Sequence, residues 1–180
     1  MKNEYVIQGD EVLVDVGKGR TMVIDLADLS LIQQTPYSVS SSMDKAERTA
    51  YAQFNKPLTP GGSKKVHRVI LGAPRGVAVD HIDHDGLYNK RSNLRLVTQS
   101  ENQQNRPAAN RNSKSGIRGV YFHQQRNKWV AVTSRPRSTG RARLLWLGQF
   151  DTVEAATAAA VAGRAQFMTH SNEKELQHAG

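Results

Sequence analysis

A spaced series of polar residues between positions 79 and 105 constrains the fold most. It comprises VDHIDHDG, NKRSNLRLVT and SENQQN, in that order. Apolar residues at 77–79 and 82 surround Asp80 and His81 and predict a short strand, and Asp85-Gly86 predicts the turn of a hairpin. The TQSE segment at 98–101 fits the capping box that begins a helix, and Pro107 ends that helix because proline cannot continue the hydrogen-bond ladder. The series therefore predicts a strand, strand, helix unit.

The side chains in this unit suit phosphodiester hydrolysis. Cutting a phosphodiester needs a divalent cation held by oxygen ligands and a base that takes a proton from the attacking water. Asp80 can supply a charged oxygen, and Asn102 can supply a carbonyl oxygen from early in the helix. Mg²⁺ prefers oxygen donors and keeps several waters, so two protein ligands are enough. His81 is the natural general base because imidazole titrates near neutral pH.

Residues 66–106 resemble the HNH homing endonucleases with a ββα-metal site, in the variant where the last His is replaced by Asn. The resemblance implies that Asp80 and Asn102 bind Mg²⁺ or Mn²⁺ and that His81 activates water. It implies that Asn93 holds the site loop and orients His81 through a hydrogen bond, and that Arg95 faces the cleaved phosphate. The sequence departs from the family at His84, where glycine is common, and at Tyr88, where aspartate is common.

Each of these residues also has a simpler structural interpretation. An isolated Asp-His pair is usually a solvated turn, and a lone Asn in a helix is usually a cap or a surface residue. His67, His84 and His123 are predicted to be solvated or near phosphate, and not to be ligands. Asn105 is predicted to support a ligand or to bond at the helix end rather than to touch the metal.

The positive charge of the chain is concentrated in one segment. The 49 residues from 102 to 150 contain no Asp or Glu, and the rest of the chain has 15 basic against 16 acidic residues. The basic residues of the segment number ten: Arg106, Arg111, Lys114, Arg118, Arg126, Lys128, Arg135, Arg137, Arg141 and Arg143. Because aromatic residues alternate with these charges, the segment predicts a folded face for a polyanion, with binding that weakens steeply with salt.

Beyond position 116 the pattern predicts three strands, at 119–122, 128–133 and 143–148, and then an alanine-rich helix. Asp151 and Glu154 form a capping signature for this helix, which is predicted to run to Phe167. The helix is expected to cover one face of the sheet, and the opposite face fits the major groove of duplex DNA.

This C-terminal segment is similar to the plant ethylene-response-factor (APETALA-type) DNA-binding domain. The similarity lies in Gly119-Val120, Lys128-Trp129, Trp146-Leu147-Gly148 and Phe150-Asp151-Thr152. It implies that Arg118, Trp129 and Trp146 lie on or beside the DNA-facing sheet, although core packing is an equal alternative for both tryptophans. Charge makes Arg126, Lys128, Arg141 and Arg143 further candidate DNA contacts. Ser134 and Leu144 stand where the family has arginines, so its base preference is not transferred.

The N-terminal residues carry little chemical signal. Strands are predicted at 11–16, 21–24, 37–40 and 51–54, with a weak helical pattern at 25–34. The segment resembles the small β-rich module that precedes the nuclease motif in related phage proteins. A scaffold role with some DNA contact is expected.

Composition excludes several classes of protein. The chain has no cysteine, which rules out disulfides and thiolate zinc clusters, and nothing in the sequence resembles a signal peptide or an apolar run long enough to span a membrane. A cytoplasmic protein is expected, in the host cell if a phage encodes it, with double-stranded DNA as partner, no membrane and no obligate protein partner.

The predicted fold class is α+β. Residues 1–62 form a β-rich scaffold, 63–106 a ββα-metal nuclease core, 107–115 a linker, 116–170 a three-stranded antiparallel sheet with one packed helix, and 171–180 a tail. The predicted function is metal-dependent DNA cleavage of the HNH homing type, with nicks or double-strand breaks as products. The alternatives are a non-catalytic DNA-binding regulator that retains the nuclease fold and an RNA-directed protein. Under the nuclease hypothesis, deleting residues after Arg106 is expected to preserve nicking and to lose site preference.

Overall fold

The computed structural model describes residues 2–44, 49–57, 64–106, 109–110, 112–135 and 142–171. The chain divides into two compact units, residues 1–99 and residues 100–180. The boundary falls inside the predicted nuclease segment, just after its second strand.

The first unit begins with a three-stranded antiparallel sheet. Its strands are β1 (Tyr5–Gln8), β2 (Glu11–Asp15) and β3 (Thr21–Asp25), in the order β1-β2-β3. The side chains of β2 and β3 alternate between buried and exposed, as expected for strands with one face on a core. The hairpin predicted from the pattern at 11–16 and 21–24 is therefore confirmed.

A short helical segment and a second hairpin follow. Residues 26–28 form a 3₁₀ turn that leads into α1 (Leu29–Gln33), so the helical pattern at 25–34 forms a single short helix after that turn. The strands β4 (Val39–Met43) and β5 (Ala50–Phe54) pair antiparallel. Both lie close to the predicted positions.

The nuclease segment has the predicted strand, strand, helix order. A one-turn helix α2 (Val66–Ile70) precedes β6 (Ala78–His81), which pairs antiparallel with β7 (Leu94–Val97). The helix α3 (Gln99–Gln104) follows immediately. It ends before Pro107, which lies outside the described residues.

One hydrophobic core joins the N-terminal strands to the nuclease segment. Its fully buried side chains come mainly from residues before position 55, and the nuclease segment adds three positions. The buried members are Val12, Val14, Val16, Met22, Ile24, Leu29, Ile32, Val39, Ala52, Phe54, Val66, Ile70 and Leu94.

The second unit contains a three-stranded antiparallel sheet covered by one helix. Its strands are β8 (Val120–His123), β9 (Lys128–Arg135) and β10 (Arg143–Phe150), in the order β10-β9-β8, and its helix is α4 (Val153–Phe167). Thr152 caps α4 by accepting a hydrogen bond from the Ala155 amide, one position after the predicted Asp151. A Cβ at Gly163 would come within 2.5 Å of Leu147 Cδ1, so glycine lets α4 lie close to the sheet.

The α+β prediction is confirmed, with small antiparallel sheets and few helices. Within the described ranges, no helix is long and apolar enough to cross a membrane.

Candidate functional site

Asp80 and Arg95 form an ion pair across the two nuclease strands. They are register partners on β6 and β7, and the Asp80 carboxylate is 7% exposed. Arg95 donates to Asp80 Oδ2 from Nε at 2.9 Å, and its Nη2 lies 2.8 Å from the same oxygen. The two predicted site residues are thus in contact, and the guanidinium fixes the orientation of the carboxylate.

His81, the next residue on β6, is buried against other rings. Its imidazole packs 5.7 Å from the Tyr51 ring and 4.9 Å from the His67 ring, centroid to centroid. Burial lowers the pKa of His81, partly opposed by its hydrogen bond with Asn89 and by the carboxylates of the site loop. A lowered pKa keeps the imidazole neutral near neutral pH, which is the form a general base needs.

Asn89 orients this imidazole. His81 Nε2 lies 3.2 Å from Asn89 Oδ1, while Asn89 Nδ2 donates to the Gly86 carbonyl at 3.3 Å. Because the amide nitrogen is committed to a carbonyl, Oδ1 is the acceptor and Nε2 carries the hydrogen. The other ring nitrogen of His81, Nδ1, is then the basic one.

Asn93 holds the loop between the strands. Its Nδ2 donates to Asp83 Oδ1 and to the Tyr88 carbonyl, both at 2.8 Å, and its Oδ1 accepts from the Asp83 amide at 3.1 Å. These contacts connect Asn93 to both Asp83 and Tyr88 of the loop that it is predicted to hold. The hydrogen bond to His81 that was expected of Asn93 is made by Asn89.

Two supporting residues carry no strong signal in the sequence. His67 was predicted to be solvated, but it is 7% exposed, and burial, followed by repulsion from His81, lowers its pKa to about 3. A Cβ at Gly86 would lie 2.4 Å from the Ala50 carbonyl and 2.5 Å from the Tyr51 ring. Gly86 therefore lets the site loop pass close to β5. These roles depend on contacts between segments that are far apart in the sequence, so the sequence alone does not reveal them.

The N-terminal sheet supports the same loop through its backbone. The Val23 amide donates to the Leu87 carbonyl at 3.0 Å, and the Asn89 amide donates to the Val23 carbonyl at 2.7 Å. The loop thus continues the β3 edge and positions Asn89, the partner of His81.

Charged side chains of the loop also bind the N-terminal segment. Lys90 Nζ lies 2.8 Å from Glu11 and 3.8 Å from Asp25, and the hydrogen bond to Glu11 raises its pKa. Arg91 donates from Nη2 at 2.7 Å and from Nε at 2.9 Å to the carboxylate of Asp28, which is buried. These ion pairs join the site loop to residues of the N-terminal segment, for which a scaffold role is predicted.

The donor chemistry near Asp80 fits a hard cation. Carboxylates of Asp80, Asp83 and Asp85 all act on His81 electrostatically, and oxygen donors of this kind suit Mg²⁺ or Mn²⁺. The described residues contain no group of three or more His, Cys, Asp or Glu side chains arranged to hold a metal. Asn102, the second predicted ligand, lies on α3 in the second unit and is half-buried.

The predicted DNA-facing residues of the second unit separate into two groups. Trp146 is 62% exposed on β10, and Arg126 and Arg143 are exposed. Trp129 is partly buried against the core of the unit and meets Phe122 edge-on, with centroids 5.1 Å apart. Lys128 pairs with Asp151. Arg141 lies outside the described residues.

Arg118 contacts α3 in this structure. Its Nη1 donates to the carbonyls of Gln104 at 2.9 Å and Arg106 at 2.7 Å, and its Nη2 donates to that of Gln103 at 3.3 Å. The guanidinium predicted to face DNA is therefore engaged with the end of the helix that carries Asn102.

Comparison with known families identifies both segments. Residues 64–104 match the family model of the HNH endonuclease, and residues 115–166 match that of the AP2 domain. The chain therefore combines an HNH endonuclease domain with an AP2 DNA-binding domain, as the two sequence resemblances predict.

Individual relatives are more distant. The chain is 37% identical over 65 residues to an uncharacterized HNH endonuclease of Acanthamoeba polyphaga mimivirus, covering 33% of this chain and 34% of that protein. It is 34% identical over 83 residues to Protein 3.8 of Escherichia phage T7, covering 46% of this chain and 66% of that protein. No solved structure matches the chain. The chain thus spans about a third of one of these relatives and just under two thirds of the other.

Proposed function

We propose that this protein is a metal-dependent DNA endonuclease of the homing type. The observation that carries the proposal is the buried, neutral imidazole of His81, held by Asn89 one residue away from the Asp80–Arg95 ion pair. His81 and Asp80 are adjacent on β6, so a buried base lies beside a carboxylate whose orientation Arg95 fixes. This arrangement suits an enzyme that must take a proton near neutral pH.

Each residue of the candidate site has a separate role in the proposed reaction. Asp80 and Asn102 would hold a divalent cation, Mg²⁺ or Mn²⁺, which when bound supplies charge to stabilise the departing oxygen of the phosphodiester. His81 takes the proton of the attacking water at Nδ1, and Asn89 keeps the ring in the tautomer that leaves Nδ1 basic. Arg95 orients Asp80, and it is also proposed to contact the cleaved phosphate.

The second unit is proposed to hold the DNA duplex. Exposed Trp146, Arg126 and Arg143, with Lys128, are the proposed contacts, and the acid-free basic segment supports them. Trp129 is assigned to the core of the unit. The phage relative supports action in the host cytoplasm if a phage encodes this protein.

Nicking of supercoiled plasmid tests the proposal. Replacing His81 with Asn should lower the cleavage rate about 100-fold or more, since the base is lost, and leave DNA affinity unchanged. His84→Asn is the matched control because His84 has a positive φ of 69°, which Asn tolerates, and no catalytic role.

Two results would contradict the assignment. Equal cleavage by the wild type and His81→Asn would remove His81 as the base. DNA binding by the wild type with no cleavage in Mg²⁺ or Mn²⁺ would favour the non-catalytic regulator instead.

A further inference from the structure

We propose that Arg118 is a positioning residue of the nuclease site, acting from the AP2 domain on the helix that carries Asn102. The inference rests on the proposed function and extends it. It makes the AP2 domain a structural part of the catalytic apparatus rather than a tethered DNA-binding module.

Arg118 caps the C-terminal end of α3. The last carbonyls of a helix have no partner within the helix and need donors from elsewhere. One guanidinium supplies donors to three carbonyls in this region, those of Gln103, Gln104 and Arg106. A cation at this end also interacts favourably with the helix dipole.

Arg118 is itself anchored in the core of the AP2 domain. Its carbonyl accepts a hydrogen bond at 2.7 Å from Nη1 of Arg164, a residue of α4 that is only 6% exposed. Its Nη2 lies 3.4 Å from the Met168 sulfur, just beyond α4. The cap is therefore attached to the helix that packs on the sheet.

The segment after α4 makes a second connection to α3. The His170 amide donates to Gln104 Oε1 at 3.3 Å, and His170 Nε2 lies 3.9 Å from Glu101. Gln104 is buried. Arg118 of the AP2 domain and the segment just after that domain thus contact the same six-residue helix.

A helix of six residues needs such support. Isolated helices shorter than about 12 residues are marginal in water because nucleation is costly. The position of Asn102 therefore depends on contacts that the AP2 domain supplies. Deleting the chain after Arg106 should abolish nicking on any DNA, in contrast to the simple tether expected from the sequence.

The test compares Arg118→Gln with the wild type in the full chain. The matched control is Arg75→Gln. Arg75 is exposed, and its replacement removes the same kind of side chain outside both proposed sites. Arg118→Gln should lower kcat for nicking about tenfold to 100-fold because a ligand-bearing helix is displaced, with KM unchanged. Hydrogen exchange at the Gln103 and Gln104 amides should accelerate, while the amides of β8 to β10 keep their protection.

Measuring DNA binding without metal distinguishes the positioning role of Arg118 from a direct contact between Arg118 and a DNA phosphate. If Arg118 contacts a phosphate, its loss reduces the slope of log affinity against log salt by about 1. A reduced slope with unchanged α3 exchange would overturn the proposal, as would an unchanged kcat. If the wild type fails to nick, the nuclease proposal falls, and the exchange comparison still decides whether Arg118 holds α3.

Discussion

Asn89 and Asn93 lie four residues apart in one loop, and each stabilises a different part of the candidate site. Asn93 bonds Asp83 and Tyr88 and shapes the loop, whereas Asn89 bonds the imidazole of His81. Asn89 is fully buried, and its own amide is held by β3. The basic nitrogen of His81 is thereby fixed by a residue whose position depends on the N-terminal sheet.

His67 stabilises the same site by staying neutral. It packs edge-on against His81 with centroids 4.9 Å apart, and its pKa is lowered to about 3, first by burial and then by neighbouring positive groups. In the unfolded chain its pKa is near the ordinary value of about 6.5. The unfolded state therefore binds more protons than the folded state between these two values, and stability falls as the pH falls through that window.

Replacing His67 with Phe should remove this acid sensitivity. A single group of this kind lowers the free energy of unfolding by about 1.4 kcal/mol for each pH unit below the unfolded pKa. Between about pH 6.5 and about pH 5 the loss is about 2 kcal/mol. Urea unfolding at about pH 7.5 and about pH 5 measures the effect as the difference between wild type and variant. Parallel pH profiles of the two proteins would show that His67 does not titrate in this way.

At the scale of elements, the sheet of the AP2 domain separates its two tryptophans. Leu144 is 66% exposed and Trp146 is 62% exposed, whereas Trp129 joins the core beneath α4. From the sequence alone, core packing and DNA contact are equal alternatives for both tryptophans. Their register on neighbouring strands, with a bulge between Trp146 and Gly148, decides which face each occupies.

Replacing the two tryptophans with alanine should affect different properties, DNA affinity for Trp146 and domain stability for Trp129. Trp146→Ala should weaken DNA binding by about 1.5–3 kcal/mol, the value of burying a large apolar side chain, and should leave the melting temperature of the domain nearly unchanged because the ring is 62% exposed. Trp129→Ala should destabilise the domain, by as much as about 3–5 kcal/mol if the site behaves as a full core position. Binding titrations and thermal unfolding of the two variants check this. Loss of stability in Trp146→Ala would instead assign that ring to packing.

The order of strands and helices and the end of α4 at Phe167 could be predicted, but the long-range contacts at the end of α3 could not. Alternating apolar residues determine β2 and β3 locally, and the β8 to β10 strands follow from similar patterns. At the end of α3, Arg118 donates to the Gln104 carbonyl from fourteen residues away, a contact that the local sequence pattern does not predict. For a related reason, the sequence predicts Asn93 and not Asn89 as the partner of His81. Both are asparagines of the same loop, and only the folded loop shows which one reaches the imidazole.

At the scale of the whole molecule, the nuclease motif is distributed over more chain than its sequence signature occupies. The core of the first unit is built largely from residues before position 55, and Lys90 and Arg91 bind carboxylates of the same N-terminal segment. The segment 63–106 carries the candidate site residues but few of the buried apolar side chains of the core. It therefore lacks the apolar area that a small domain needs to fold alone.

Fragments should reveal this dependence. Residues 63–106 alone should be unfolded, because Val66, Ile70 and Leu94 would have no N-terminal core to pack against. Residues 1–106 should retain a folded first unit but should not nick DNA, since α3 lacks its Arg118 cap. Circular dichroism with cooperative urea unfolding measures the first expectation, and plasmid nicking in Mg²⁺ measures the second. A folded 63–106 fragment would contradict the scaffold role of the N-terminal sheet, and efficient nicking by 1–106 would show that α3 forms its part of the site without the AP2 domain.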